Sequence, residues 1–169
     1  MPNVATESAK ASEQATASKY SDMQLVTFTL GQEEYGVDIN KVREIIRLVE
    51  ITKVPKAPAF VEGLINLRGS VVPIVDLRKR FDIPSAEDRN GMRIMVVDVN
   101  QKTIGVVVDS VSEVLLLAGE NIQDVPSTIS SGVDGRFLQA VGKVNEKLMQ
   151  LLDLDRIFSF EELGRMAKM

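Results

Sequence analysis

The sequence predicts a mainly β protein: two five-stranded barrels packed into one body, with short helices and an amphipathic C-terminal helix. Three observations predict it. Short apolar runs follow one another at close spacing, and Gly and Pro punctuate them. "LGQEEYGVDINKVREII" (30–46) lies over "VNQKTIGVVVDSVSEVL" (99–115), matching Gly36 with Gly105, Val42 with Val111, Glu44 with Glu113 and Ile45 with Val114. "PIVDLRKRF" (73–81) lies over "QLLDLDRIF" (150–158), with Asp76-Leu77 on Asp153-Leu154 and Phe81 on Phe158. The chain therefore reads as two copies of one unit, about 24–81 and 92–158, whose strands are free to interleave. Each copy runs hairpin, turn, strand, crossover, hairpin and short helix.

Residues 1–23 are rich in Ala, Ser, Thr, Glu and Lys with almost no large apolar side chain, so a disordered tail is expected there. From Gln24, "QLVTFTL" alternates like a half-buried strand. "EEYGVDI" follows a turn at Gly31, and "REIIRLV" follows a single helical turn at Asn40 to Val42. "KVPKAPAF" is a connector, "DLRKRF" a short helix and "SAEDRNG" a polar linker. "MRIMVVDVN" and "KTIGVVVDSV" join through a tight turn at Asn100-Gln101, and "SEVLLLA" is a further strand. "SSGVDG" reads as a mobile loop. "FLQAVGKV" and "KLMQLLDL" pair around Asn145-Glu146, and a helix over Asp155 to Met166 precedes the C-terminal end at 164–169.

Composition excludes several classes of function. The 169 residues contain no histidine, cysteine or tryptophan. The commonest general base and the commonest zinc, copper or haem ligands are thus missing, and neither disulfides nor thiol chemistry can operate. No cofactor or metal is expected. Net charge is −4, distributed as −1 over 1–23, +2 over 24–81 and −5 over 82–169. Aromatic residues make up 5%, so neither a basic face nor stacking platforms for nucleic acid are at hand. No apolar run approaches the roughly 20 residues of a membrane span, and no signal peptide is read at the N-terminus.

"EGLINLRGSVVPIVDL" (62–77) sets a sharper question. Its residues suit a strand, a tight turn capped by Asn66 and a second strand, but nothing in that turn requires an arginine. In the second copy Arg68-Gly69 falls on Asn145-Glu146. The turn belongs to both copies and the arginine to one, which points to a partner rather than to the fold.

"TFTLGQEEYGVDINKVREI", "PAFVEGLINLRGSVVPIVDLRKRF" and "TIGVVVDSVSEVL" resemble the CheW family, the coupling proteins of bacterial chemotaxis. The resemblance covers nearly all of 24–163. It implies two five-stranded SH3-like barrels forming a non-enzymatic cytoplasmic adaptor. Such an adaptor links transmembrane chemoreceptors to the regulatory domain of a CheA-type histidine kinase in membrane-associated arrays. The chain shows no kinase, phosphotransfer or receiver segment, so it reads as a free-standing adaptor rather than as the related CheV type.

Each candidate residue has a plainer reading beside the functional one. Arg68 is a solvated turn arginine or an anchor whose planar fork takes a carboxylate or carbonyls of a receptor helix. Gly63 relieves crowding in a strand or keeps a receptor groove open. Val42 and Glu44 are core and solvent positions, or part of a receptor- or kinase-contacting surface as the resemblance implies. In "ENIQDVPS" (120–127), Ile122 and Val125 are expected to be exposed near Pro126, either as a plain connector or, as the resemblance implies, as a contact with the kinase. Asp76 and Asp153 are the acids on which a carboxylate enzyme would have to rest, yet helix capping accounts for both. That enzyme and a small nucleic-acid-binding barrel are the competing functions.

Overall fold

The computed structural model describes residues 19–84, 89–126 and 137–158, together with Glu162 and Gly164. In chain order the elements are β1 (Met23–Leu30), β2 (Glu33–Asp38), β3 (Val42–Arg47), β4 (Val61–Leu67), β5 (Ser70–Asp76) and α1 (Leu77–Arg80). They continue with β6 (Arg93–Val99), β7 (Lys102–Val108), β8 (Ser110–Leu117), β9 (Ile122–Gln123), β10 (Leu138–Val144), β11 (Lys147–Leu152) and α2 (Leu154–Ile157). One sheet has the order β3-β6-β7-β5-β4 and the other β8-β1-β2-β11-β10-β9.

The two sequence repeats are therefore not the two sheets. Each repeat gives its first hairpin to the other's sheet. β1 and β2 pair with β8 and β11, while β6 and β7 pair with β3 and β5. The matched glycines mark the parallel junctions of this exchange: Gly36 sits beside Leu151 and Gly105 beside Ile74. A Cβ on Gly105 would stand 2.5 Å from the end of the Ile74 side chain and 2.9 Å from a methyl of Ile94, so glycine leaves room for both to pack at this junction.

The internal symmetry extends to irregularities. An extra residue bulges at Arg43 in β3 and at the equivalent Ser112 in β8. Three two-residue hairpin turns, at Arg68-Gly69, Asn100-Gln101 and Asn145-Glu146, have positive φ at both positions, matching the right-handed twist of their strands. Asn66 Oδ1 accepts from Gly69 N at 2.8 Å, capping the first of these turns. Asp76 Oδ1 accepts from Arg78 N at 2.9 Å and Asp153 Oδ1 from Asp155 N at 3.0 Å, so both acids cap helices.

Alternating side chains divide the apolar interior into three clusters. Ile65, Val72, Ile74, Ile94, Val96 and Val107 belong to the five-stranded sheet, and Leu25, Leu117, Ile122, Met149 and Leu151 to the six-stranded one. The largest cluster joins residues of both sheets. In it Phe60 meets Phe158 at 5.6 Å between ring centres and Phe81 meets Phe137 at 5.5 Å, two contacts related by the repeat. Arg80 lies against three of these rings and donates to Ile157 O at 2.9 Å.

Two boundaries shift from those expected. Strand order begins at Met23 rather than Gln24, and the segment before it is tied down from Lys19. The Tyr20 hydroxyl donates to Asp124 at 2.6 Å, and Asp22 accepts from Gly119 N at 2.8 Å. The ring of Tyr20 also packs on the core of the six-stranded sheet, an apolar contact the polar tail composition hides. The rest of the expected tail, residues 1–18, and the loop at 130–135 lie outside the described residues. Of the expected C-terminal helix, Leu154–Ile157 form one turn and Glu162 and Gly164 are helical; the remainder lies outside them too.

Candidate functional site

A groove of about 640 Å³ opens on the five-stranded sheet, lined by β3, the β4–β5 hairpin and the start of β7. The bulge in β3 places two successive residues, Arg43 and Glu44, on its wall. Arg68 lines it from the hairpin turn and forms an ion pair with the Glu44 carboxylate. The arginine is 70% exposed and the glutamate 30%, so the guanidinium keeps donors free for a partner. Arg43 Nη1 donates to Thr103 Oγ1 at 2.8 Å and lies 3.6 Å from Asp98. Lys102 and Val71 complete the part of the lining that faces outward. Among the described residues no three acidic, histidine or cysteine side chains gather to hold a metal ion.

Elsewhere in the fold, shifted pKa values have structural causes. Burial pushes the Tyr35 phenol up to about 12, helped by the charge of Glu33. Burial also raises the Asp76 carboxyl. The Arg78 guanidinium is raised chiefly by its hydrogen bond with Asp109, a pair mostly shielded from solvent.

Comparison with known proteins identifies the family of the chain. The family model for the CheW-like domain matches residues 24–162. The chain belongs to the CheW family. It is 36% identical over 154 residues to the chemotaxis protein CheW of Klebsiella aerogenes, covering 89% of this chain and 92% of that one. It is 33% identical over 150 residues to the chemotaxis protein CheW of Treponema pallidum, covering 86% and 88%. The crystal structure of the scaffolding protein TtCheW from Thermoanaerobacter tengcongensis superposes with a TM-score of 0.76 at 34% identity, over 83% of this chain and 94% of that one. The chain is thus a chemotaxis coupling protein with the fold of a CheW scaffold.

The residues singled out in the sequence separate in this CheW fold. Arg68 and Glu44 come together in the groove. Val42 is half-buried and packs on the central core, because the bulge that turns Arg43 and Glu44 outward leaves it facing in. Gly63 does not line the groove. Its φ of +147° and a Thr52 carbonyl only 2.1 Å from where a Cβ would stand give it a structural task. The backbone bridge between Thr52 and Leu64 needs that clearance. Ile122 corrects the expectation of exposure: it is 3% exposed, paired with Gly142 in β9 and packed among Leu25, Leu117 and Met149. A short strand added at the sheet edge draws it inward. Val125 is half-buried against the central core, and Pro126 alone of the three is exposed.

Sequence reading missed Arg43, Val71 and Lys102. Alternation along "SVVPIVD" puts Val72 and Ile74 inward, and that pattern already implies that Val71 faces out. Arg43 and Lys102 had no such signal, since the bulge and the interleaving of β7 beside β5 bring them to the groove.

Proposed function

We propose that this adaptor holds the cytoplasmic tip of a chemoreceptor in the Arg68 groove and, on a separate face, the regulatory domain of a CheA-type histidine kinase. Receptor state then reaches the kinase through the CheW body, without catalysis by this chain. The observation that carries the reading is the asymmetry between twins. Matching turns stand in both sheets and each lines a groove, but only the first presents an arginine, ion-paired with Glu44. A helical hairpin fits such a groove because it supplies carboxylates and carbonyls to the guanidinium fork and apolar side chains to the floor. Val125 and Pro126, after β8, are the proposed kinase contacts. Among the described residues no helix is long and apolar enough to cross a membrane.

The test is a reconstitution of receptor tips, kinase and this chain, with binding of each partner and kinase activity measured together. The expected result is independent binding of both partners and kinase activity that follows the receptor only when this chain is present. A chain that binds neither partner removes the proposal.

A further inference from the structure

We infer that Lys102 is a second cationic anchor in the groove and that the segment filling it is acidic, with a carboxylate opposite Lys102 and an apolar side chain on Val71. This deepens the receptor-tip reading and rests on it.

Charge on the groove runs against charge on the molecule. The chain carries −4 overall, yet the groove is lined by Arg43, Arg68 and Lys102 against the single acid Glu44. The two arginines have partners already, in Asp98 with Thr103 and in Glu44. Lys102 stands exposed at the start of β7. A concentration of positive charge on an acidic protein steers negatively charged partners toward that spot and disfavours basic ones.

The register supplies the rest. β5 and β7 are parallel, with Ile74 level with Gly105. Before that pairing begins, Val71 on β5 and Lys102 on β7 both line the groove. Val71 is 65% exposed, among the most exposed large apolar residues described. An apolar knob beside an ammonium suits one face of an amphipathic helix, on which an apolar residue and a carboxylate one turn apart point the same way. At the twin hairpin Leu148 is 62% exposed in the place of Val71, and Asn145-Glu146 replace Arg68-Gly69 in a pocket also lined by Lys143 and Lys147. Apolar contact and lysines are thus common to both faces, and what the first adds is the arginine fork of Arg68 on the same groove as Lys102.

The experiment measures binding of a helical-hairpin fragment from a chemoreceptor tip to the full chain at several salt concentrations. Lys102→Ala should weaken binding about fivefold at low salt and flatten its salt dependence. Lys102→Glu should weaken it at least about tenfold, with an unchanged unfolding midpoint because the side chain is exposed, and Lys102→Arg should bind as the parent does. Replacing the matching fragment carboxylate by lysine should restore binding to Lys102→Glu alone. If the parent chain does not bind the fragment, the receptor reading itself fails. If the parent binds, Arg68→Ala weakens it and Lys102→Glu binds normally, or no carboxylate replacement rescues Lys102→Glu, the acidic-anchor inference is overturned while the receptor reading stands.

Discussion

Arg68 reaches across the groove to Glu44, so the cation at the hairpin tip is paired before any partner arrives. The pair joins β3 to the β4–β5 turn, two elements that are not neighbours in the sheet order. Its exposure argues that it adds little to stability, since solvated ion pairs contribute about 0–1 kcal/mol. The backbone agrees. Arg68 has a φ of +50°, a left-handed conformation in which Asn or Gly is at ease and arginine is not. An arginine kept at such a position is poorly explained by folding.

Replacing it separates the two roles. Arg68→Asn loses the pair but relaxes the turn, so its unfolding free energy should stay within about 0.5 kcal/mol of the parent. Receptor-fragment affinity should fall about thirtyfold, or about 2 kcal/mol, and Arg68→Lys should recover only part because the planar fork is gone. Calorimetric unfolding beside fragment titration decides it. A variant that unfolds early yet binds normally would mean that the arginine serves the turn.

Gly63 should behave in the opposite way. Any side chain there meets the Thr52 carbonyl and must also adopt a φ of +147°. Gly63→Ala should cost about 3 kcal/mol through backbone strain and the lost Thr52–Leu64 bridge. Circular dichroism melting would show it as a midpoint about 6–12 °C lower. An unchanged midpoint would return Gly63 to the groove.

These two residues show what the sequence made legible. Repetition is written in matched residues, so strand order within each unit, both caps and all three tight turns could be read from local chemistry. The pairing of hairpins between units could not, because a hairpin's alternation states which face is buried and not whose sheet it joins. The site followed the same division. Arg68 stood out because its twin is Asn145, whereas Ile122 seemed exposed because two-residue β9 is too short to leave a period in the sequence. Gly63 was noticed, but its reason lies at Thr52, in a connector with no strand pattern.

The N-terminal segment gives a graded prediction. Deleting residues 1–18 should leave the midpoint within about 3 °C, since that stretch offers almost no apolar surface to bury. Deleting 1–22 also removes the Tyr20 contact with the core, its hydrogen bond to Asp124 and the Asp22 bond to Gly119. That deletion should cost about 2 kcal/mol. Equal midpoints for the two truncations would show that Tyr20 is a bystander.

Acid stability should report on the tie between the two repeats. Burial works against ionisation of Asp155, but the Lys41 ammonium at 3.0 Å and the Asn100 N–H outweigh it and hold the carboxyl below its ordinary 3.8. A lowered folded value stabilises above 3.8 and is lost as pH falls through that lower value. Asp155→Asn should therefore be less stable than the parent at pH 7, by about 0.5–1 kcal/mol for so exposed a pair. The gap should close on acidification below pH 3.8. Urea titrations at pH 7 and pH 3 measure it, and a gap that widens in acid would contradict the assignment.

Charge placed along the segment after β8 should distinguish core from surface. Ile122→Asp puts a carboxylate among Leu25, Leu117 and Met149 with no counter-charge among them, and removes the apolar group that fills the end of that cluster. The cost should be at least about 4 kcal/mol, enough to unfold much of the population. Its loss of kinase binding would then say nothing about contact. Pro126→Asp is the informative change, because Pro126 is exposed and its side chain can be altered without touching the core. If this segment meets the kinase regulatory domain, Pro126→Asp should keep the parent's midpoint and bind receptor fragments normally. Kinase affinity should weaken about tenfold, since an unpaired charge in an interface loses its water without gaining a partner. Titration of the isolated regulatory domain against each variant is the measurement. Normal kinase binding by a folded Pro126→Asp chain would place the kinase face elsewhere on the molecule.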